Sequence, residues 1–163
     1  MLYPLTYKQT WNSYGGATEV MARQRASKLY ERAWHRGWLR RFWLTLTGKS
    51  ARLLELAEVH QTQKLQNGHY LGQRTVPLDQ VQGSVDRAHD FDNAFYPRQE
   101  HTLERWLRVA MAYQAGINLP PVTLVQIGEV YYVEDGHHRL SVARAMGWPE
   151  IEAEVKVWRV SPK

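Results

Sequence analysis

The 163-residue chain contains no cysteine. That excludes disulfides, thiolate metal sites and thiol chemistry. It also lacks any apolar run long enough to cross a bilayer, and its N-terminus lacks the basic-then-apolar layout of a signal peptide. A cytoplasmic protein without a transmembrane segment is therefore expected. No internal repeat and no low-complexity tract appear. What is present is 44% apolar and 12% aromatic, too much for a disordered chain and enough to bury a core.

Acidic residues are scarce in the first part. Up to Gly72 there are 11 Lys and Arg against 4 Glu, and from Gln73 onward 10 basic against 12 acidic residues. The two lengths differ in kind. Residues 1–72 read as a basic, aromatic-rich helical extension. Residues 73–163 read as a nearly neutral binding or catalytic domain.

Ala17 to Lys64 contains no proline and reads as helix, with Gly37 and Gly48 as expected breaks. Tyr30, Trp34, Trp38 and Phe42 recur every fourth residue and predict one stripe, and Lys49 to Lys64 a second amphipathic segment. Gln66-Asn67-Gly68 predicts a turn. Arg74 to Leu78 is a strand candidate, followed by a polar loop from about Asp79 to Arg98. Leu103, Trp106, Leu107, Ala110 and Tyr113 predict an amphipathic helix over Gln99 to Gln114, stopped by Gly116 and Pro120-Pro121. Val122 to Ile127 and Val130 to Val133, joined by Gly128-Glu129, predict a hairpin. A helix from His137 to Met146 and a strand from Ile151 to Trp158 complete a mixed α+β pattern.

One turn carries chemistry. Asp135-Gly136-His137-His138-Arg139 stands where the hairpin passes into a helix. A helix N-terminus offers unpaired N–H groups and a partial positive charge, and usually attracts acids. Here two histidines and an arginine fill the first turn instead. Asp135 is the expected N-cap, and Gly136 allows close backbone approach. A phosphate clamped by Arg139 would balance the turn. The plainer reading pairs Arg139 with Glu134, Asp135 or a loop carboxylate and leaves the histidines solvated. A third reading takes Asp135, His137 and His138 as metal ligands. Adjacent histidines do not share a helical face, however, and the spacing of a helical zinc motif is missing. No metal held by protein alone is expected. A Mg²⁺ carried by substrate phosphates, helped by Asp86, Asp90 or Asp92, fits better.

Residues 75–160 resemble the ParB/sulfiredoxin-like family. The likeness is carried by Val76-Pro77-Leu78-Asp79-Gln80-Val81, by Gly116-Ile117-Asn118-Leu119-Pro120-Pro121-Val122, and above all by Tyr131-Tyr132-Val133-Glu134-Asp135-Gly136-His137-His138-Arg139-Leu140 with Ala143 and Gly147 behind it. The resemblance implies an α+β fold, with a small mixed sheet and helices preceded by the helical extension. It implies a nucleotide ligand, since this turn is similar to one that takes CTP in ParB proteins, ATP in sulfiredoxins and ADP or ATP in serine kinases of the fold. By the same resemblance Gly136 and Arg139 contact phosphate, His138 assists, and Arg87 matches an arginine of ParB domains.

The departures are specific. Sulfiredoxin has its cysteine where His137 stands, so sulfinic-acid reduction is excluded. ParB has Glu-Arg-Arg in place of His137-His138-Arg139. No ParB-type DNA-reading module is expected after the last strand. The serine kinases need an early glutamate, for which only Asp79 or an acid of the Asp86 to Asp92 loop is available. The expected function is binding of ATP, ADP or CTP with Mg²⁺ by Asp135, Gly136, His137, His138, Arg139 and Arg87. As a phosphotransferase or nucleotide hydrolase, the protein would use His137, His138, Asp90 and Asp92 catalytically. The alternative is a non-catalytic nucleotide-responsive or nucleic-acid-associated module. Basic residues in 23–41 are the candidate nucleic-acid contacts, against a packed stripe or an anionic membrane surface. A homodimer is a further candidate assembly.

Overall fold

A computed structural model describes residues 16–62, 65–87 and 89–160. Residues 1–15 and 161–163, at the outer ends of the two expected units, and Lys64, the expected helix end, lie outside the described residues.

A first helix, α1 (Gly16–Leu46), runs for 31 residues. Its Ala26, Tyr30 and Ala33 lie on one face and share a buried core with α3 (Leu103–Gln114) and α4 (His137–Ala145). Gly37 does not break α1. It continues the same face at the point where a loop crosses, and an added Cβ would meet the Cβ of Tyr96 at 2.7 Å. The helix stops at the second expected break, where Gly48 adopts φ +68°.

The segment expected as a second amphipathic helix divides instead into β1 (Leu54–Glu55) and α2 (Leu56–Thr62). Tertiary contacts override helical periodicity here. Leu53 enters the main core, Leu54 and Glu55 pair in parallel with Gly83 and Ser84, and Leu56 packs on the opposite sheet face. The expected turn at Gln66-Asn67-Gly68 lies inside β2 (Leu65–Pro77), next to register shifts between Asn67 and Gly72. So β2 crosses the expected division at 72/73, and the sheet draws on both sides of it.

The remaining strands are β3 (Val81–Ser84), β4 (Val122–Ile127), β5 (Val130–Asp135) and β6 (Glu150–Val160). The order is β1-β3-β5-β4-β6-β2. β1, β3 and β5 run parallel. β4 is antiparallel to β5 across the expected two-residue turn, parallel to β6, and β6 is antiparallel to β2. This mixed sheet with helices makes the fold α+β. Alternation along the strands serves two faces. Leu124 and Val133 meet Leu140 and Ala143 of α4, whereas Val125 and Tyr132 meet Leu56 of α2. The topology places the start of α4 at the carboxyl end of β5, beside the loop that leaves β3 and the outer face of α3. Among the described residues no helix is long and apolar enough to cross a membrane.

Candidate functional site

The site begins with Gly136. It adopts φ +94° and is itself the N-cap of α4, with no side-chain cap. An added Cβ would stand 2.6 Å from Val122 Cγ1 and 2.9 Å from both Nε and Nη2 of Arg139. The position therefore requires glycine twice, for its left-handed backbone and for the guanidinium lying against it. The first helical bond runs from Leu140 N–H to the Gly136 carbonyl. Helical geometry leaves the N–H groups of His137, His138 and Arg139 without intrahelical acceptors.

Asp135 is not the N-cap. Its carboxylate accepts from Arg139 Nη2 at 2.5 Å, one turn along. Arg139 Nη1 also donates to the carbonyls of Pro120 and Pro121, at 2.6 and 3.2 Å. Arg139 thus ties the helix start to the segment entering β4. The plainer pairing with Asp135 is realised, but the histidines are not solvated.

His137 is 4% exposed and His138 6%. His137 Nε2 lies 2.7 Å from Ser84 Oγ, which also accepts from the backbone N–H groups of Asp86 and Arg87. Ser84 Oγ accepts twice, so its own proton points to His137 Nε2, which accepts it. Burial pushes the His137 pKa down to about 4, against the pull of Asp86, whose Oδ1 is 4.0 Å away. His138 is likewise lowered to about 4, by burial first and then by Arg105, His137, Arg87 and His101. Its Nε2 is buried with no hydrogen-bond partner. Phe91 stacks on His137 at 6.1 Å and meets His138 edge-on at 5.4 Å. Both rings are therefore neutral near pH 7.

A cleft of about 280 Å³ opens over this turn. Arg87, Arg105, Arg108, Val109 and Leu119 line it with Asp135, Gly136, His137, His138 and Arg139. Four arginines and one aspartate line it beside an uncapped helix N-terminus, with Asp86 and Asp90 at its edge. Such a wall is matched by an anion bearing several negative charges.

No family model matches the chain. Nor does any curated protein. Among solved structures the chain is similar to sulfiredoxin from Arabidopsis thaliana, with 16% identity over 53% of this chain and 86% of that one, at a TM-score of 0.38.

The expected site residues separate into two groups. Asp135, Gly136, His137, His138, Arg139 and Arg87 all line the cleft. Asp86 stands at its edge beside His137. Asp90 lies 4.0 Å from Arg87 Nη1 and 3.4 Å from His101 Nε2. Asp92 is elsewhere. It is fully buried, Oδ1 accepts from the N–H groups of Ala94 and Tyr96, and Oδ2 lies 3.4 Å from Arg41. Its carboxyl is raised by burial, partly offset by Tyr96, Ala94, Arg41 and Arg40. Among the described residues no group of three or more metal-ligating side chains occurs.

Three contributors escaped the sequence reading. Arg105 and Arg108 sit one turn apart on α3, off the apolar face formed by Trp106, Leu107 and Ala110. That spacing was the available signal. Ser84 ends a strand too short to announce itself.

The basic residues of α1 are distributed differently. Arg23 pairs with Glu104, Arg40 with Asn93 and Arg41 with Asp92. The expected stripe divides along its length. Tyr30 packs on Trp106, whereas Trp38, Phe42 and Trp43 are exposed, with Trp38 stacked on Phe42 at 5.8 Å.

Proposed function

We propose that this protein binds a nucleotide such as ATP, ADP or CTP by its phosphates in the cleft over the α4 N-terminus, within a ParB/sulfiredoxin-like domain. The carrying observation is the convergence of Arg87, Arg105 and Arg108 on the uncapped turn at Gly136. In this reading the backbone N–H groups of His137 and His138 donate to phosphate oxygens. The three arginines balance the charge, and Arg139 braces Gly136 for close approach. His138 Nε2, buried and unpartnered, is the group that exchanges a proton with the ligand or its leaving oxygen. A bound anion offsets the positive neighbours of His138 and raises its pKa, against the burial that lowers it most.

Mg²⁺ would be held chiefly by the phosphates, with Asp86 and Asp90 as the acids at the cleft edge. Asp92, committed to its loop and to Arg41, serves architecture. The reaction class is phosphoryl transfer or nucleotide hydrolysis, which depends mainly on positioning and charge stabilisation. The test combines calorimetric binding of ATP, ADP and CTP, with and without Mg²⁺, and assays of released or transferred phosphate. Saturable nucleotide binding supports the reading. Failure of every nucleotide and of inorganic tripolyphosphate to bind defeats it.

A second reading is favoured by the exposed Trp38–Phe42 stack among the arginines of α1. Here nucleotide binding regulates a nucleic-acid contact instead of feeding a reaction. Nucleotide binding without turnover, together with salt-sensitive single-strand binding lost on Trp38→Ala, supports it. Turnover without nucleic-acid binding excludes it.

A further inference from the structure

Beside the cleft lies a second depression of about 300 Å³, lined by Tyr113, Ile117, Pro120, Pro121, Trp148 and Glu152 among others. We infer that this groove seats the base of the nucleotide whose phosphates occupy the cleft, and that it selects adenine or cytosine, whose exocyclic amine stands where uracil carries a carbonyl. The inference rests on the function proposed above and adds the ligand's other half.

Three observations carry it. The depressions adjoin, because Leu119 lines both. The ridge between them is fixed, since Pro120 and Pro121, which line the groove, accept at their carbonyls from Arg139 of the cleft. One helix also serves both. α3 presents Arg105, Arg108 and Val109 to the cleft and Tyr113 to the groove. Arg105 and Tyr113 are eight positions apart, about 12 Å along the axis. A ligand lying along α3 therefore meets cations first and aromatic surface next, in the order phosphate, sugar, base.

The groove's chemistry suits a planar ring. Tyr113 and Trp148 meet at 4.7 Å with their planes inclined by 47°, and Trp148 is 37% exposed. Pro120 and Pro121 supply rigid apolar surface opposite. None of the groove's lining residues is basic, so the groove offers a phosphate no countercharge. Its one acid, Glu152, accepts from Gln73 Nε2 at 3.2 Å. A carboxylate only accepts hydrogen bonds. It rewards the amine of adenine or cytosine and repels the carbonyl that uracil presents at the equivalent place.

The test is calorimetric titration of ATP, CTP, UTP and inorganic tripolyphosphate into the wild-type chain, Trp148→Ala and Glu152→Gln. ATP and CTP should bind about tenfold or more tightly than tripolyphosphate, the scale of one base–aromatic stack. Trp148→Ala should remove that advantage and leave tripolyphosphate binding intact, which also reports that the variant is folded. Glu152→Gln should erase the preference for ATP and CTP over UTP. Equal wild-type binding of ATP and tripolyphosphate overturns the groove assignment while the phosphate cleft stands. So does a Trp148→Ala variant that keeps the nucleotide advantage. Absence of binding by all four ligands overturns the cleft and the groove together.

Discussion

Acidification from about pH 7.5 to about pH 4.5 should unfold this protein through two rings. His137 and His138 are buried and neutral, with pKa values lowered to about 4, whereas an unfolded histidine titrates near 6.5. Between those values the unfolded chain binds protons that the folded one refuses. Stability is therefore full above about pH 6.5 and declines as pH falls toward about 4. The gap corresponds to roughly 3 kcal/mol for each ring at the acid limit, and to about 1.4 kcal/mol each by about pH 5.5. Against a typical domain stability of about 5–15 kcal/mol, the pair decides whether the fold survives. Asp92 acts with the opposite sign. Burial raises its carboxyl, so its unfavourable desolvation is present at neutral pH and is relieved in acid. The assay is urea unfolding followed by circular dichroism across this pH range, on wild type and on a His137→Gln/His138→Gln double variant. The double variant should start less stable and show a much flatter profile. Wild-type stability that stays level down to about pH 4.5 would refute the reasoning, as would an equal acid loss in the double variant.

Two further outcomes follow from the same geometry. Gly136→Ala should destabilise the fold by about 1–3 kcal/mol through its left-handed backbone alone. It should also abolish phosphate binding by pushing Arg139 aside, and thermal melting with tripolyphosphate titration checks both. Ser84→Ala should cost about 1–3 kcal/mol by orphaning buried His137 Nε2. It also frees the N–H groups of Asp86 and Arg87, so tripolyphosphate affinity should fall because Arg87 loses its anchored loop.

Much of the carboxyl-terminal half was legible in the residues. The β-branched runs flanking Gly128-Glu129 form the hairpin as expected, and Trp106, Leu107 and Ala110 form the buried face of α3. The turn at Gly136 could be located because a basic first turn contradicts the helix dipole. Asp135, one turn before Arg139, was among its expected partners, but the Pro120 and Pro121 carbonyls were not, since they reach Arg139 only once the hairpin is closed. β1 and β3 left little trace. Two residues of β1 and the Val81-Gln82-Gly83-Ser84 segment show no alternation, and their pairing is a tertiary event. Gly37 misled for a related reason, because its missing side chain serves the passage of Tyr96 rather than a break in α1. Arg105 and Arg108 look like ordinary solvated positions of an amphipathic helix until α4 is placed opposite them.

The most direct test of the anion cleft is amide chemical-shift mapping of the labelled protein during titration with tripolyphosphate. Large saturable shifts at Gly136, His137 and His138, with smaller ones at Arg87 and Arg105, are the predicted result. Shifts confined to α1, or none at the start of α4 at saturating ligand, would contradict the assignment.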